Sequence, residues 1–236
     1  GLFAVDDTMT AAESVINVYE DLIRISNYAS RFGGVKSLSP DQVAFIDQWE
    51  VENYRRKAGK QDAGVNKLSG KIAVVTGGAQ GFGAGIAEAI YKMNLNVVVA
   101  DINTEAGDAF VSGLNRQKAS GKALFMKTDV SDPESVKNLI SFTVSQFGGL
   151  DIFISNAGIL RAGGLDEMEP DVWEKMTRIN YNAYYYCAKY ASEVMKTQNQ
   201  ERPEYYTDII QINSKSGLRG SNRNFAYAGA KFGGIG

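Results

Sequence analysis

Five short runs rich in Val, Ile and Phe recur through the last two thirds of the chain: Lys71–Thr76, Asn96–Ala100, Ala123–Lys127, Asp151–Ser155 and Asp208–Asn213. Helical stretches lie between them. Strand, helix and strand in alternation imply right-handed crossovers and a parallel sheet covered on both faces. The expected fold class is therefore α/β, with a doubly wound parallel sheet. The apolar runs are short, as in Ile72–Val75 and Val97–Ala100. A membrane-spanning helix needs ~20 apolar residues, so no membrane partner is expected.

The first third reads as helix. Thr10 and Glu13 have the spacing of a capping box. Ala12, Val15, Ile16, Tyr19, Leu22 and Ile23 then recur at three- and four-residue steps, which predicts one apolar face. Gly33-Gly34 ends this helix. A second opens at Ser39-Pro40-Asp41-Gln42 and is expected to reach about Lys57, with Val43, Phe45, Ile46, Trp49 and Val51 as its apolar residues. Residues 58–66 read as a linker, because they are small and polar and carry no periodicity. The expected division is thus a helical segment over 1–57, a linker over 58–66 and a sheet domain over 67–236. Arg55, Arg56, Lys57 and Lys60 read as basic residues facing a helix C-terminus.

Composition removes several kinds of function. The chain has 25 basic and 27 acidic side chains in 236 residues. That balance argues against a nucleic-acid binder driven by bulk positive charge. It has no His and one cysteine, Cys187. A His-based triad, a His-ligated zinc site and an intrachain disulfide are excluded, and no metal site is expected. The start, Gly1-Leu2-Phe3-Ala4-Val5-Asp6-Asp7, lacks the basic and apolar regions of a secretory signal. Cytoplasmic is the expected location.

Thr76-Gly77-Gly78-Ala79-Gln80-Gly81-Phe82-Gly83 follows the first strand and opens a helix. A glycine-rich turn at that point lets backbone N–H groups approach a pyrophosphate, and the helix N-terminus adds partial positive charge. The next strand ends at Asp101, 18 residues after Gly83. That is close to the ~20 expected for a ribose-binding carboxylate. Ionised Asp101 would repel a 2′-phosphate, no cation follows it in Ile102-Asn103, and Gln80 is neutral. These residues favour NAD over NADP. Asp129-Val130 ends the third strand and Asn156-Ala157-Gly158 the fourth. Ligands of open parallel sheets sit beyond such strand ends, so all four ends should meet at one crevice. Asp129 would meet the adenine amino group, and the small residues after Asn156 would let the chain pass close to the cofactor. The sheet is thus expected to be Rossmann-type.

Tyr227-Ala228-Gly229-Ala230-Lys231 puts a phenol and an ammonium one helical turn apart. With 12 Tyr and 25 Lys plus Arg, the pairing is unsurprising by chance. Its chemistry is specific, because a nearby cation favours the phenolate that general-base work needs. Ser214 lies 13 residues earlier, with Ser216 as the competing hydroxyl.

Taken together, residues from about 67 onward resemble the short-chain dehydrogenase/reductase family of the single-domain type. The matching pieces are Thr76–Gly83, Asp129-Val130, Asn156-Ala157-Gly158, Asn180, Ser214 and Tyr227 with Lys231, in the family's order and spacing. The resemblance implies Tyr227 as acid/base, Lys231 as its tuner and a ligand of the nicotinamide ribose, and Ser214, rather than Ser216, as substrate orienter. It implies that Asn180 holds a water relaying protons to Lys231. The implied cofactor set is Gly77, Gln80, Gly81, Phe82, Gly83, Asp101, Ile102, Asp129, Val130, Asn156, Ala157 and Gly158 with Tyr227 and Lys231. One departure is Asn213-Ser214-Lys215-Ser216, where the family more usually has small residues. Homo-oligomers are common in the family.

Residues 1–57 resemble, less specifically, the C-terminal end of a class II sugar-phosphate aldolase domain. The carriers are Gly1-Leu2-Phe3, the helix Ala11–Ser30 and Phe32-Gly33-Gly34 through Leu38-Ser39-Pro40. Such domains occur fused ahead of short-chain dehydrogenases, so any aldolase zinc is expected outside this chain. A sheet ending after its fifth run leaves an unpaired edge, and the C-terminus is expected to be incomplete. The expected function is NAD-dependent hydride transfer on a secondary alcohol or carbonyl, with a sugar alcohol, sugar phosphate or small hydroxyaldehyde as substrate. The alternatives are a dinucleotide-binding module without catalysis, a part of a bifunctional aldolase/dehydrogenase, and, fitting poorly, an epimerase.

Overall fold

The computed structural model describes residues 3–6, 9–47, 68–117, 119–220 and 222–235. The chain divides into two compact units, Gly1–Gly70 and Lys71–Gly236. The expected end of the second helix, the basic cluster and the linker over 58–66 all lie outside the described residues.

In the first unit, helix α1 spans Met9–Ala29 and continues into a tight turn over Ser30–Phe32. It begins one residue before Thr10, and the Thr10 side chain of the expected capping box lies outside what is described. Gly33 adopts φ +96°, and the Gly34 N–H donates to the Ala29 carbonyl at 2.9 Å. This is the left-handed stop that glycine takes at no Cβ cost. Helix α2, Pro40–Asp47, starts as expected. The Ser39 N–H donates to Gln42 Oε1 at 2.9 Å and the Gln42 N–H donates to Ser39 Oγ at 3.3 Å, a reciprocal capping box. On the expected apolar face of α1, Val15, Tyr19, Leu22 and Ile23 are 46–55% exposed.

The second unit is the expected parallel α/β sheet. Its strands are β1 (Ile72–Thr76), β2 (Asn96–Asp101), β3 (Ala123–Lys127), β4 (Ile152–Ser155) and β5 (Asp208–Gln211), all parallel in the order β3-β2-β1-β4-β5. Val74, Val75 and Val97–Ala100 are fully buried. Such unbroken burial, without alternation, marks strands covered on both faces. The connecting helices are α3 (Gly81–Lys92), α4 (Thr104–Asn115), α5 (Pro133–Phe147), α6 (Pro170–Thr177), α7 (Ala183–Glu201) and α8 (Phe225–Gly233). One core cluster joins Val74, Val98 and Phe153 of the sheet to Leu139 of α5 and to Cys187, Ala191 and Met195 of α7. Burial pushes the Cys187 thiol up to about 12, which keeps it protonated.

Helix α5 is capped by Asp132, whose carboxylate accepts the N–H groups of Glu134 and Ser135. Ser131, which with Glu134 has the sequence spacing of a capping box, instead donates its hydroxyl to Asp129 at 2.8 Å. Pro133 explains the shift: it drives the preceding residue to extended geometry, and Asp132 sits at φ −104°, ψ +114°.

The N-terminal edge of the sheet is held by a polar cluster. Asp151 Oδ2 accepts the Ile72 N–H at 2.7 Å. Lys71 Nζ lies 3.9 Å from Asp151 Oδ1 and 4.0 Å from the Tyr205 ring centroid. Burial first, and then the hydrogen bond and negative charge of Asp151, raise the Tyr205 pKa above the ordinary value. A raised folded pKa contributes stability below the unfolded value of about 10, and that stability is lost as pH rises above it. Tyr205→Phe is therefore expected to unfold with a flatter alkaline dependence. Above pH ~10, wild type should lose its advantage by about 1.4 kcal/mol per pH unit, as read from urea midpoints at pH 8 to 11.5. Parallel curves would refute the assignment.

Candidate active site

The chain leaves β1 through Gly77, whose φ of +61° only glycine adopts without strain, and Gly81 repeats this at +56°. Gly83 opens the first turn of α3. A Cβ there would lie 2.0 Å from the Gly77 carbonyl oxygen and 2.6 Å from Asn156 Nδ2. Gln80 precedes α3 without a side-chain cap. The first N–H groups of a helix lack intrahelical partners, so this arrangement suits a pyrophosphate.

The fourth strand end is stitched to this loop. Asn156 Nδ2 donates to the Thr76 and Gly77 carbonyls at 2.9 and 3.2 Å. Thr76 Oγ1 accepts the N–H groups of Asn156 and Ala157 at 3.0 and 3.1 Å. Thr76 is fully buried. A lone hydroxyl closing an apolar strand was the sequence signal for this role. At the second strand end, Asp101 Oδ2 accepts the Ala79 N–H at 3.1 Å and Oδ1 accepts the Asn103 N–H at 3.0 Å. Both bonds hold the carboxylate at the edge of the glycine loop. Asp129 Oδ1 accepts the Ser131 N–H and hydroxyl.

These ends surround a crevice of about 420 Å³. It is lined by Gly77, Gln80, Phe82, Gly83, Asp101, Ile102, Asp129, Val130, Asn156, Ala157 and Gly158. Gly81, Tyr227 and Lys231, the rest of the implied set, are not in the lining. Thr128, Ile159 and Ile179 also line it and were not anticipated. The crevice lies where the strand order reverses between β1 and β4. A cradle that a Cβ would fill, an uncapped helix start and a carboxylate beside the loop fit a dinucleotide. Gly77, Gln80, Gly83 and Asp101 are the residues suited to hold it. Among the described residues, no group of three or more His, Cys, Asp or Glu could hold a metal.

The remaining expected residues lie on the elements beside this crevice. Between α6 and α7 the helix widens into a π turn, Arg178–Asn182, which carries Asn180. Asn180 is 3% exposed. Its Oδ1 accepts the Ile159 N–H and its Nδ2 donates to the Ile159 carbonyl, both at 2.9 Å. The side chain thus anchors the chain that follows Gly158. Ser214 lies just beyond β5, whose Gln211 pairs with Ser155 of β4. Its hydroxyl accepts the Ser216 N–H at 3.2 Å, and Ser216 itself is buried. Tyr227 and Lys231 share a face of α8, with Lys231 Nζ 5.8 Å from the Tyr227 ring centroid. Lys231 is 5% exposed and donates to the Ile212 carbonyl at 2.7 Å. Burial lowers its pKa below the ordinary lysine value.

The loop after β4 is tied to the start of α8. The Gly163 N–H donates to the Arg223 carbonyl at 2.7 Å, and Arg223 pairs with Glu167 at 2.7 Å. Trp173 stacks on Phe225 with centroids 5.1 Å apart. These contacts fix the N-terminal end of the helix that bears Tyr227.

Comparison with known proteins agrees with this geometry. Residues 71–236 match the family described as short chain dehydrogenase. The chain is 35% identical to the 2,5-dichloro-2,5-cyclohexadiene-1,4-diol dehydrogenase LinX of Sphingobium indicum over 167 residues, 70% of this chain and 63% of that protein. It is 26% identical to the uncharacterized oxidoreductase YuxG of Bacillus subtilis over 214 residues, 91% of this chain and 30% of that protein. A short chain dehydrogenase/reductase from Burkholderia phymatum, solved in complex with NAD, matches with a TM-score of 0.67 at 25% identity. The match covers 72% of this chain and 58% of that one. The chain thus spans less than two thirds of the length of these relatives. No helix among the described residues is long and apolar enough to cross a membrane. Through its parallel sheet, its glycine cradle and the match over 71–236, the chain belongs to the short-chain dehydrogenase family of oxidoreductases.

Proposed function

We propose that this chain carries the dinucleotide half and the catalytic residues of an NAD-dependent oxidoreductase acting on a secondary alcohol or its carbonyl product. The observation that carries the reading is Lys231, a buried ammonium held one helical turn from Tyr227 by the Ile212 carbonyl. A buried cation is costly unless it has work or a partner. Here it supports charge on the neighbouring phenol.

NAD⁺, when bound, supplies the acceptor for the hydride leaving the carbinol carbon. The protein handles the rest. Ser214 holds the substrate oxygen by hydrogen bonding. Tyr227 takes the hydroxyl proton as hydride leaves the carbinol carbon, and the secondary alcohol becomes a ketone with release of one proton. In the reverse direction Tyr227 returns it. Loss of the Lys231 proton ends that support, and its lowered pKa brings the alkaline limb of turnover below the ordinary lysine range. Asn180 keeps the Ile159 backbone in place at the crevice wall. The substrate class we favour is a polyhydroxylated or cyclic secondary alcohol, in line with the diol named for the Sphingobium relative. The test is the absorbance of NADH with a panel of such alcohols and ketones, for wild type and Tyr227→Phe. Dinucleotide binding with no turnover across the panel would favour a non-catalytic module.

The NAD preference rests on Asp101. Its two backbone bonds hold a negative charge at the loop edge, where a 2′-phosphate would be repelled. Asp101→Ala is expected to lower the NAD-to-NADP ratio of kcat/KM at least about tenfold, since a hydrogen bond to a charged group is worth ~1.5–3 kcal/mol. An unchanged ratio would remove Asp101 from cofactor selection.

A further inference from the structure

Asn213 is part-buried at the exit of β5, and its amide is fully engaged. Its Oδ1 accepts the Ser214 N–H at 2.7 Å. Its Nδ2 donates to the Lys231 main-chain carbonyl at 3.0 Å and to Gln211 Oε1 at 3.2 Å. Two acceptors on one side and a donor on the other leave the amide a single orientation. Lys231 lies in the last turn of α8, where carbonyls lack intrahelical partners. The Asn213 amide satisfies one of them. The exit of β5 therefore grips Lys231 at both ends, the Ile212 carbonyl on its ammonium and Asn213 on its main chain. Gly217 makes room for this: a Cβ there would fall 2.5 Å from Asn213 Oδ1 and 2.9 Å from the Lys231 carbonyl oxygen.

We propose that Asn213 is a positioning residue that holds Ser214 and Lys231 in one rigid frame through its side-chain amide. The proposal rests on the oxidoreductase reading for its catalytic consequence but not for its geometry. A small residue at this position reaches neither partner, so the backbone of Ser214 and the end of α8 would move independently. An error of 1 Å in such groups costs turnover far more than affinity.

The experiment compares Asn213→Ala and Asn213→Asp with wild type. It uses steady-state kinetics per NAD-binding site, NAD titration and amide hydrogen exchange over 212–218 and 227–235. Asn213→Ala is expected to lower kcat about 10- to 100-fold while the NAD dissociation constant stays within about twofold. Exchange should quicken at the Ser214 amide and at the end of α8. Asn213→Asp keeps the acceptor for Ser214 but sets a carboxylate against two oxygens. It should retain protection at Ser214 and lose it at the end of α8, and it serves if the alanine variant folds poorly. Added to Ser214→Ala, the alanine change should lower kcat less than threefold further, because residues acting as a unit are non-additive. An equal loss in both backgrounds, or a lowered Tm with unchanged kcat per site, would overturn the proposal. So would unchanged exchange in both variants. If Tyr227→Phe keeps its turnover, the oxidoreductase reading falls. The exchange data still decide the frame.

Discussion

Tyr227→Phe is expected to lower NAD-linked turnover by about 10²- to 10⁴-fold, the range that a positioned general acid/base supplies, with NAD binding within twofold of wild type. The substitution removes one oxygen and keeps the ring. The Trp173–Phe225 stack at 5.1 Å and the Arg223–Glu167 pair hold the start of α8 without any part played by the Tyr227 hydroxyl. Lys231 keeps its bond to the Ile212 carbonyl. Neither the crevice lining nor the glycine cradle includes Tyr227. A loss of turnover would therefore report on the proton and not on folding or cofactor capture. Single-turnover measurement at saturating NAD separates the chemical step from release. A variant retaining a tenth of wild-type turnover or more would remove Tyr227 from the chemistry.

The sheet was legible because each strand is an apolar run between polar turns, and β3 coincides with the expected 123–127. Helix starts were less so. The sequence spacing of a capping box fits several registers, and at Ser131-Asp132-Pro133 the proline decides among them by forcing Asp132 into extended geometry. Nothing local announces the π turn over Arg178–Asn182, which has neither Pro nor Gly. It carries Asn180, which pairs with Ile159, 21 residues away in sequence. The candidate site shows the same division. The glycines and Asp101 are visible as a spaced motif on contiguous chain. Thr76 joins Asn156 across 80 residues, and Asn213 joins Lys231 across 18. Such polar partners are specified by tertiary packing, so the residues could be singled out in sequence but their bonds could not. Asn213 is instructive: the stretch 213–216 was visible as a departure from the family's small residues, and only the fold shows what the Asn213 amide holds.

Gly83→Ala is expected to cost at least 100-fold in NAD affinity and about 1–3 kcal/mol in stability, as overpacking in a closed site does. The added methyl would sit 2.0 Å from the Gly77 oxygen, 2.8 Å from the Gly77 carbonyl carbon and 2.6 Å from Asn156 Nδ2. Two of these are backbone atoms. They cannot yield without turning Gly77 away from φ +61° and breaking the Asn156 bonds that stitch the loop to β4. The loss should therefore fall on the pyrophosphate cradle first. Two neighbours set the controls. Gly81→Ala meets open space but inherits φ +56°, so it should cost only the roughly 1–2 kcal/mol of left-handed strain. Gly85 has ordinary helical geometry and open space, and Gly85→Ala should stabilise α3 by about 0.4–1 kcal/mol with NAD affinity unchanged. Thermal melts and NAD titration of the three variants would give this order if close approach at Gly83 is what shapes the cradle. Equal affinity in the Gly83 and Gly85 variants would show that the crevice does not bind NAD through this loop.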